Sequence, residues 1–131
     1  MPRSCPLVAV VNDEVAFVRV LNALLHDHGY DTLLLQVGEV AYESLKQERP
    51  DLIILDISSA QSDLSWLVLD LLALDPITQT IPLIICTVPD AAYEKRAAQI
   101  QALGHVVIEK PFTIDVLATL IRERLQPMQH L

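Results

Sequence analysis

A doubly wound α/β fold, five parallel strands with helices on both faces, is the architecture this sequence predicts. Short continuous apolar runs alternate five times with segments whose apolar residues recur at helical spacing. Unbroken apolar runs are what strands buried on both faces require. Five strand–helix units in a row, with no internal repeat and no linker, fold most simply as a parallel sheet with right-handed crossovers.

The elements follow in order. PLVAVV (6–11) reads as the first strand. Val15, Val18, Leu21, Leu24 and Leu25 then lie on one helical face, and the helix stops at Gly29 after His26 and His28. DTLLLQ (31–36) is the second strand, and Val40, Ala41 and Leu45 mark a helix that ends before Pro50. LIIL (52–55) is the third strand. Asp63 is placed to cap a helix running through Trp66, Leu67, Leu71 and Leu74 to Asp75-Pro76, with Trp66, Leu67 and Leu71 as its core face. PLIICT (82–87) is the fourth strand, followed by a helix from Asp90 to Leu103 closed by Gly104. HVVIE (105–109) is the fifth strand, opened by His105, and Thr113 caps a last helix reaching Leu125. The domain is expected to span residues 1–125, with 126–131 a frayed tail and no output domain.

Bulk properties narrow the function. The chain has 131 residues, 52% of them hydrophobic, and a mean hydropathy of +0.38. Such a chain can build a core and is not disordered. No apolar run approaches the roughly 18 residues of a membrane span. Asn12, Asp13 and Glu14 stand where a signal peptide would place small residues for cleavage, so a cytoplasmic location is expected. A net charge of −8 argues against nucleic acid. Cys5 and Cys86 sit in strand-like segments without a CxxC or Cys/His cluster and are read as buried thiols.

The stretch PDLIILD (50–56) carries the chemistry. Four apolar residues run into Asp56, and a carboxylate at the end of a buried strand needs partners. In an open parallel sheet, ligands bind beyond the carboxyl ends of the strands. Asn12-Asp13-Glu14, Asp56, Thr87 and Glu109-Lys110-Pro111 all follow strands, so the fold brings them to one rim. Two carboxylates there, Asp13 and Asp56, repel unless a hard cation lies between them, and Mg²⁺ needs few protein oxygens because it keeps its waters. Lys110 and Thr87 then suit a phosphoryl group on the far side. Glu14 is read as a first-turn helix acid, and His26, His28 and His130 as surface residues.

VVNDE (10–14), DLIILDISSAQSD (51–63), IPLIICT (81–87) and EKPF (109–112), in that order and each at a strand end, resemble the response-regulator receiver domain of two-component signalling. The resemblance covers residues 7 to 125. It implies strand order 2-1-3-4-5 and a Mg²⁺-dependent phosphoacceptor rather than an enzyme. By resemblance Asp56 accepts the phosphoryl group, Thr87 bonds its oxygen and Lys110 neutralises it. Asp13, Asp56 and the Ser58 carbonyl would hold Mg²⁺, Asn12 would act through a water, and Lys110–Pro111 would be cis. The implied partners are a sensor histidine kinase or phosphotransfer protein, and a separate downstream protein or second copy meeting helix 4, strand 5 and helix 5. Asn12 replaces a customary acid, Val88 a small residue and Val107 a frequent aromatic, while Ala60 and Leu64 replace a Pro and a Gly. A phosphorylation-independent interaction module on the same fold is the alternative. A haloacid-dehalogenase phosphatase would want Asp where Ser58 stands, and a flavodoxin would want a phosphate loop where Asn12-Asp13-Glu14 stand.

Overall fold

The computed structural model describes residues 5–57 and 62–125. Five strands and five helices alternate: β1 (Leu7–Val11), α1 (Val15–Asp27), β2 (Asp31–Leu35), α2 (Glu39–Glu48), β3 (Leu52–Asp56), α3 (Ser62–Leu74), β4 (Leu83–Thr87), α4 (Ala91–Ala102), β5 (Val106–Glu109) and α5 (Ile114–Leu125). The strands form one parallel sheet in the order β2-β1-β3-β4-β5. Every strand prediction lands within one residue of its element.

Side chains alternate across a strand, and this divides the apolar runs between two cores. Ala9, Val11, Ile53, Leu55, Leu83 and Ile85 face α2, α3 and α4, packing on Ala41, Leu45, Trp66, Leu69, Leu72 and Ile100. Val8, Val10, Leu52, Ile54, Ile84, Cys86 and Ile108 face α1 and α5, packing on Leu21, Leu25, Leu117 and Ile121. Both faces of β1, β3 and β4 are covered, which is why those runs are unbroken.

Local chemistry sets the helix ends. Asp90 caps α4, accepting from the Tyr93 N–H at 2.9 Å, and the Thr113 hydroxyl accepts from the Val116 N–H at 3.3 Å at the start of α5. Gly104, at φ 77°, turns the chain from α4 into β5 in the left-handed region that glycine enters without cost.

Three expectations need correction. Asp63 lies inside the first turn of α3 rather than before it, where its charge complements the helix dipole. The core face of α3 is Ser65, Trp66, Val68, Leu69 and Leu72, whereas Leu67 is exposed and Leu71 half-buried. That helix is apolar on most sides, so apolar spacing could not fix its rotation. Cys86 is a buried β4 thiol, pushed up to about 12 by burial, but Cys5 precedes β1 and is only half-buried. Residues 126–131, with His130, lie outside the described residues, as do Ser58 and Ala60.

Candidate functional site at the carboxyl edge of the sheet

Strand order reverses at β1, which has β2 on one side and β3 on the other. The crevice above such a reversal is where open α/β sheets place their ligands. Here it is a cleft of about 410 Å³ lined by Asn12, Glu14, Phe17, Asp56, Lys110, Pro111 and Phe112. Three strand ends build it. β1 delivers Asn12 and Glu14, β3 delivers Asp56, and the turn after β5 delivers Lys110 to Phe112.

Asp56 is 8% exposed and is the last residue of β3. Its main chain is held from two directions. The Ser65 hydroxyl of α3 donates to the Asp56 carbonyl at 3.0 Å, and the next residue, Ile57, donates its N–H to the Cys86 carbonyl at 2.8 Å. The Lys110 ammonium forms an ion pair with Asp56 Oδ1 and donates to the Ile57 carbonyl at 3.3 Å. Lys110 is set in place by its own N–H, which donates to the Thr87 carbonyl at 2.9 Å, and Lys110–Pro111 is a cis peptide. So the buried carboxylate has its partner, and it comes from a position 54 residues away in sequence, as 110 less 56 gives.

The residues after β1 divide their roles. Asn12 Oδ1 accepts from the Glu14 N–H at 2.7 Å, a local turn that fixes the entry to α1. Asp13 Oδ1 accepts from the Val37 N–H at 2.9 Å, tying the end of β1 to the loop after β2. Asp13 lines the adjoining hollow, which shares Asn12 with the cleft, and no described hydrogen bond engages its second oxygen. Thr87 is buried at the end of β4, with its hydroxyl donating to the Val88 carbonyl at 3.3 Å. Among the described residues, no three acidic, histidine or cysteine side chains gather as a metal cage. The donors present, carboxylate and amide oxygens, are hard. They fit a cation that keeps most of its own water.

Three features escaped the sequence reading. Glu14, expected in the first turn of α1, is instead its N-cap residue and lines the cleft with Asp56. Phe17 of α1 and Phe112 meet edge to face, ring centres 6.0 Å apart, and wall one side of the cleft. Local sequence spacing gives no hint of this, because the contact spans 95 residues of chain, as 112 less 17 gives. Asp75, read only as a helix stop, is a buried hub. It accepts from the Tyr42 hydroxyl at 2.5 Å and the Ile77 N–H at 2.9 Å, and pairs with Lys46 at 3.0 Å. These three hold its carboxyl down at about 2, the Tyr42 bond contributing most.

Comparison with known proteins places the chain among receiver domains. The chain is 28% identical to the transcriptional regulatory protein ZraR of Escherichia coli K12 over 121 residues, 90% of this chain and 26% of that protein. It is 29% identical to the probable transcriptional regulatory protein TcrX of Mycobacterium tuberculosis, over 91% of this chain and 49% of that protein. The chain thus spans between a quarter and half the length of these relatives. Among solved structures, the receiver domain of a signal transduction histidine kinase from Syntrophus aciditrophicus superposes with a TM-score of 0.79 at 28% identity, covering 93% of this chain and 91% of that one. The receiver domain of a sensor histidine kinase from Pseudomonas aeruginosa, solved with magnesium coordinated in its active-site cleft, shares the fold at a TM-score of 0.72 and 20% identity, covering 93% and 98%. With the family model for the response regulator receiver domain matching residues 8–122, and the sheet order and cleft above accounting for that match, the chain belongs to the receiver-domain family.

Proposed function

We propose that this receiver accepts a phosphoryl group on Asp56 and passes the signal on by changing how its surface meets another protein. The observation that carries the reading is the Asp56–Lys110 ion pair inside the cleft at the sheet's switch point. A nucleophilic carboxylate must be reachable yet fixed, and its product charge must be met by a cation already in place. Asp56 fulfils the first condition through Ser65 and β4, and Lys110 the second.

The donor is a phosphohistidine on a histidine kinase or phosphotransfer protein. An Asp56 oxygen attacks phosphorus, the P–N bond breaks, and its electron pair returns to the imidazole. The product is an acyl phosphate on Asp56. Lys110, released from the carboxylate oxygen, turns to the phosphoryl oxygens, and the Thr87 hydroxyl leaves the Val88 carbonyl to bond one of them. Magnesium, when bound, supplies neutralisation of phosphoryl charge. Asp13 through its second oxygen, Asp56 and the Ser58 carbonyl would hold it, with Asn12 acting through a water. Ser58 lies outside the described residues. The magnesium in the Pseudomonas neighbour's cleft supports this assignment. Movement of Thr87 and Lys110 acts on α4, β5 and α5, the face we assign to the downstream partner or a second copy. As a phosphoacceptor in the cytoplasm, the protein works by interaction, with only slow loss of its own phosphoryl group.

Incubation with acetyl phosphate and Mg²⁺, read by intact mass, tests the assignment. One added phosphoryl group is expected, and none in Asp56→Asn.

A further inference from the structure

α4 begins at Ala91, after the short loop that follows Thr87, yet it is thinly seated. Ile100 is its only buried residue among those described, with Tyr93 packing partway onto the same core. Among the described residues, one side chain adds a polar tie to α3. Arg96 sends both terminal nitrogens to Asp70 of α3, Nη1 to Oδ1 at 2.7 Å and Nη2 to Oδ2 at 3.2 Å. The same guanidinium lies 4.9 Å from the centre of the Trp66 ring. Trp66 and Asp70 are one helical turn apart, so α3 presents an aromatic plate and a carboxylate fork as one surface. Only a planar, forked cation satisfies both at once.

α3 is in turn fastened to the site. Ser65, adjacent to Trp66, bonds the carbonyl of Asp56. One helix therefore touches the acceptor's main chain near its start and grips α4 a turn later. We propose that Arg96, Asp70 and Trp66 form a latch that sets the position of α4 against α3, and that opening it is how α4 is freed. The latch itself is a property of the resting fold; its link to the acceptor rests on the phosphorylation reading above.

The geometry explains why a pair this exposed matters. An isolated surface ion pair contributes little, because solvent screens it and two long side chains must be ordered. Here the arginine also lies over a ring that is itself 6% exposed and fixed in the core, so its order is shared between two contacts. Loss of either should release the other. With one buried residue elsewhere on α4, little else opposes its departure.

Trp66 is the sole tryptophan of the chain, so its fluorescence reports the latch directly. Arg96→Lys, Arg96→Gln and Asp70→Asn are compared with the unmodified protein by hydrogen exchange and by Trp66 emission. All four should keep one fold, since the substituted side chains lie at the surface. Exchange of α4 amides from Tyr93 to Ala102 should quicken about five- to tenfold in each variant, while β1, β3 and β4 stay unchanged. Trp66 emission should shift in both Arg96 variants. Arg96→Lys, which keeps the charge but loses the fork and the plane, should resemble Arg96→Gln. The Arg96→Gln, Asp70→Asn double variant should exchange no faster than either single one. Unchanged α4 exchange, or full rescue by lysine, would overturn the latch. In a second arm, beryllofluoride with Mg²⁺ is added and its binding followed by ¹⁹F resonance. Bound beryllofluoride should shift Trp66 emission in the unmodified protein and not in Arg96→Gln. A bound resonance without a Trp66 shift overturns the coupling of latch to site. No bound resonance overturns the phosphorylation reading instead, and with it the link to the acceptor, while the exchange result still decides the latch.

Discussion

Asp75 shows how one residue can be plain in sequence and still hide its role. Preceding Pro76 at the end of α3, it reads as punctuation; in the fold it collects Tyr42, Lys46 and Ile77. Its partners favour the ionised form, holding the carboxyl at about 2 against an ordinary 3.8. The folded value is depressed, so its contribution is complete above the unfolded value and is lost as pH falls through that window toward 2. Urea unfolding from pH 6 down to pH 2 should therefore steepen in its loss of stability below about pH 4, and Asp75→Asn should be less stable at pH 6 but shallower below pH 4. His105 works in the opposite range. Burial first, and Arg124 second, lower its pKa below 6.5, and its Nδ1 is buried without a hydrogen-bond partner. The fold prefers the neutral ring, so stability is complete above 6.5 and declines as pH drops below it. His105→Gln should flatten the urea midpoint between pH 7 and pH 5. At the cleft, Asn12 lacks the charge an aspartate would bring. A nearby added carboxylate is worth on the order of one kcal/mol to a bound divalent ion after desolvation and screening, about five- to tenfold in affinity. Asn12→Asp should tighten Mg²⁺ by that factor in calorimetric titration, and Glu14→Gln should weaken it a few-fold because Glu14 lines the same cleft.

At the scale of elements, legibility followed how many constraints each segment carried. α4 and α5 were readable from Asp90 and Thr113, whose side chains accept the first-turn amides the helices cannot satisfy internally. Asp90→Ala should cost about 1 kcal/mol, seen as a lower urea midpoint and faster exchange at the start of α4. The strands were readable because burial on both faces demands unbroken apolar runs, and five short runs between turns leave little choice of register. α3 was readable in extent and not in rotation. With Leu64, Leu67, Val68, Leu69, Leu71 and Leu72 around its girth, local pattern does not say that Leu67 meets solvent and Val68 the core. The tertiary partners decide that. Arg96, on a helix with little apolar character, gave no sign that its charge would be spent on Trp66 and Asp70 of the preceding helix.

For the whole molecule, the two-core division gives a simple expectation. Leu45 is fully buried between α2 and the sheet, so Leu45→Ala should cost about 2–5 kcal/mol by urea unfolding, without touching the cleft. The rim of strand ends was legible because topology alone gathers it: once strands are parallel, Asn12, Asp56, Thr87 and Lys110 must share one edge. Which side chain turns into the cleft was not legible. Backbone amides elsewhere decide it, Val37 claiming Asp13 and the turn at Asn12 aiming Glu14. Asp56, proposed as the acceptor, is paired with Lys110, its proposed counter-charge. Lys110→Ala should fold, since a strand-end ion pair at a cleft is not what holds either core together, yet lose the response of α4 to phosphorylation in hydrogen exchange. The most direct test is intact mass after acetyl phosphate and Mg²⁺, on the unmodified protein and on Asp56→Asn side by side. A gain of one phosphoryl group is expected in the first and none in the second; no gain in the first, or the same gain in both, would rule out Asp56 as the acceptor.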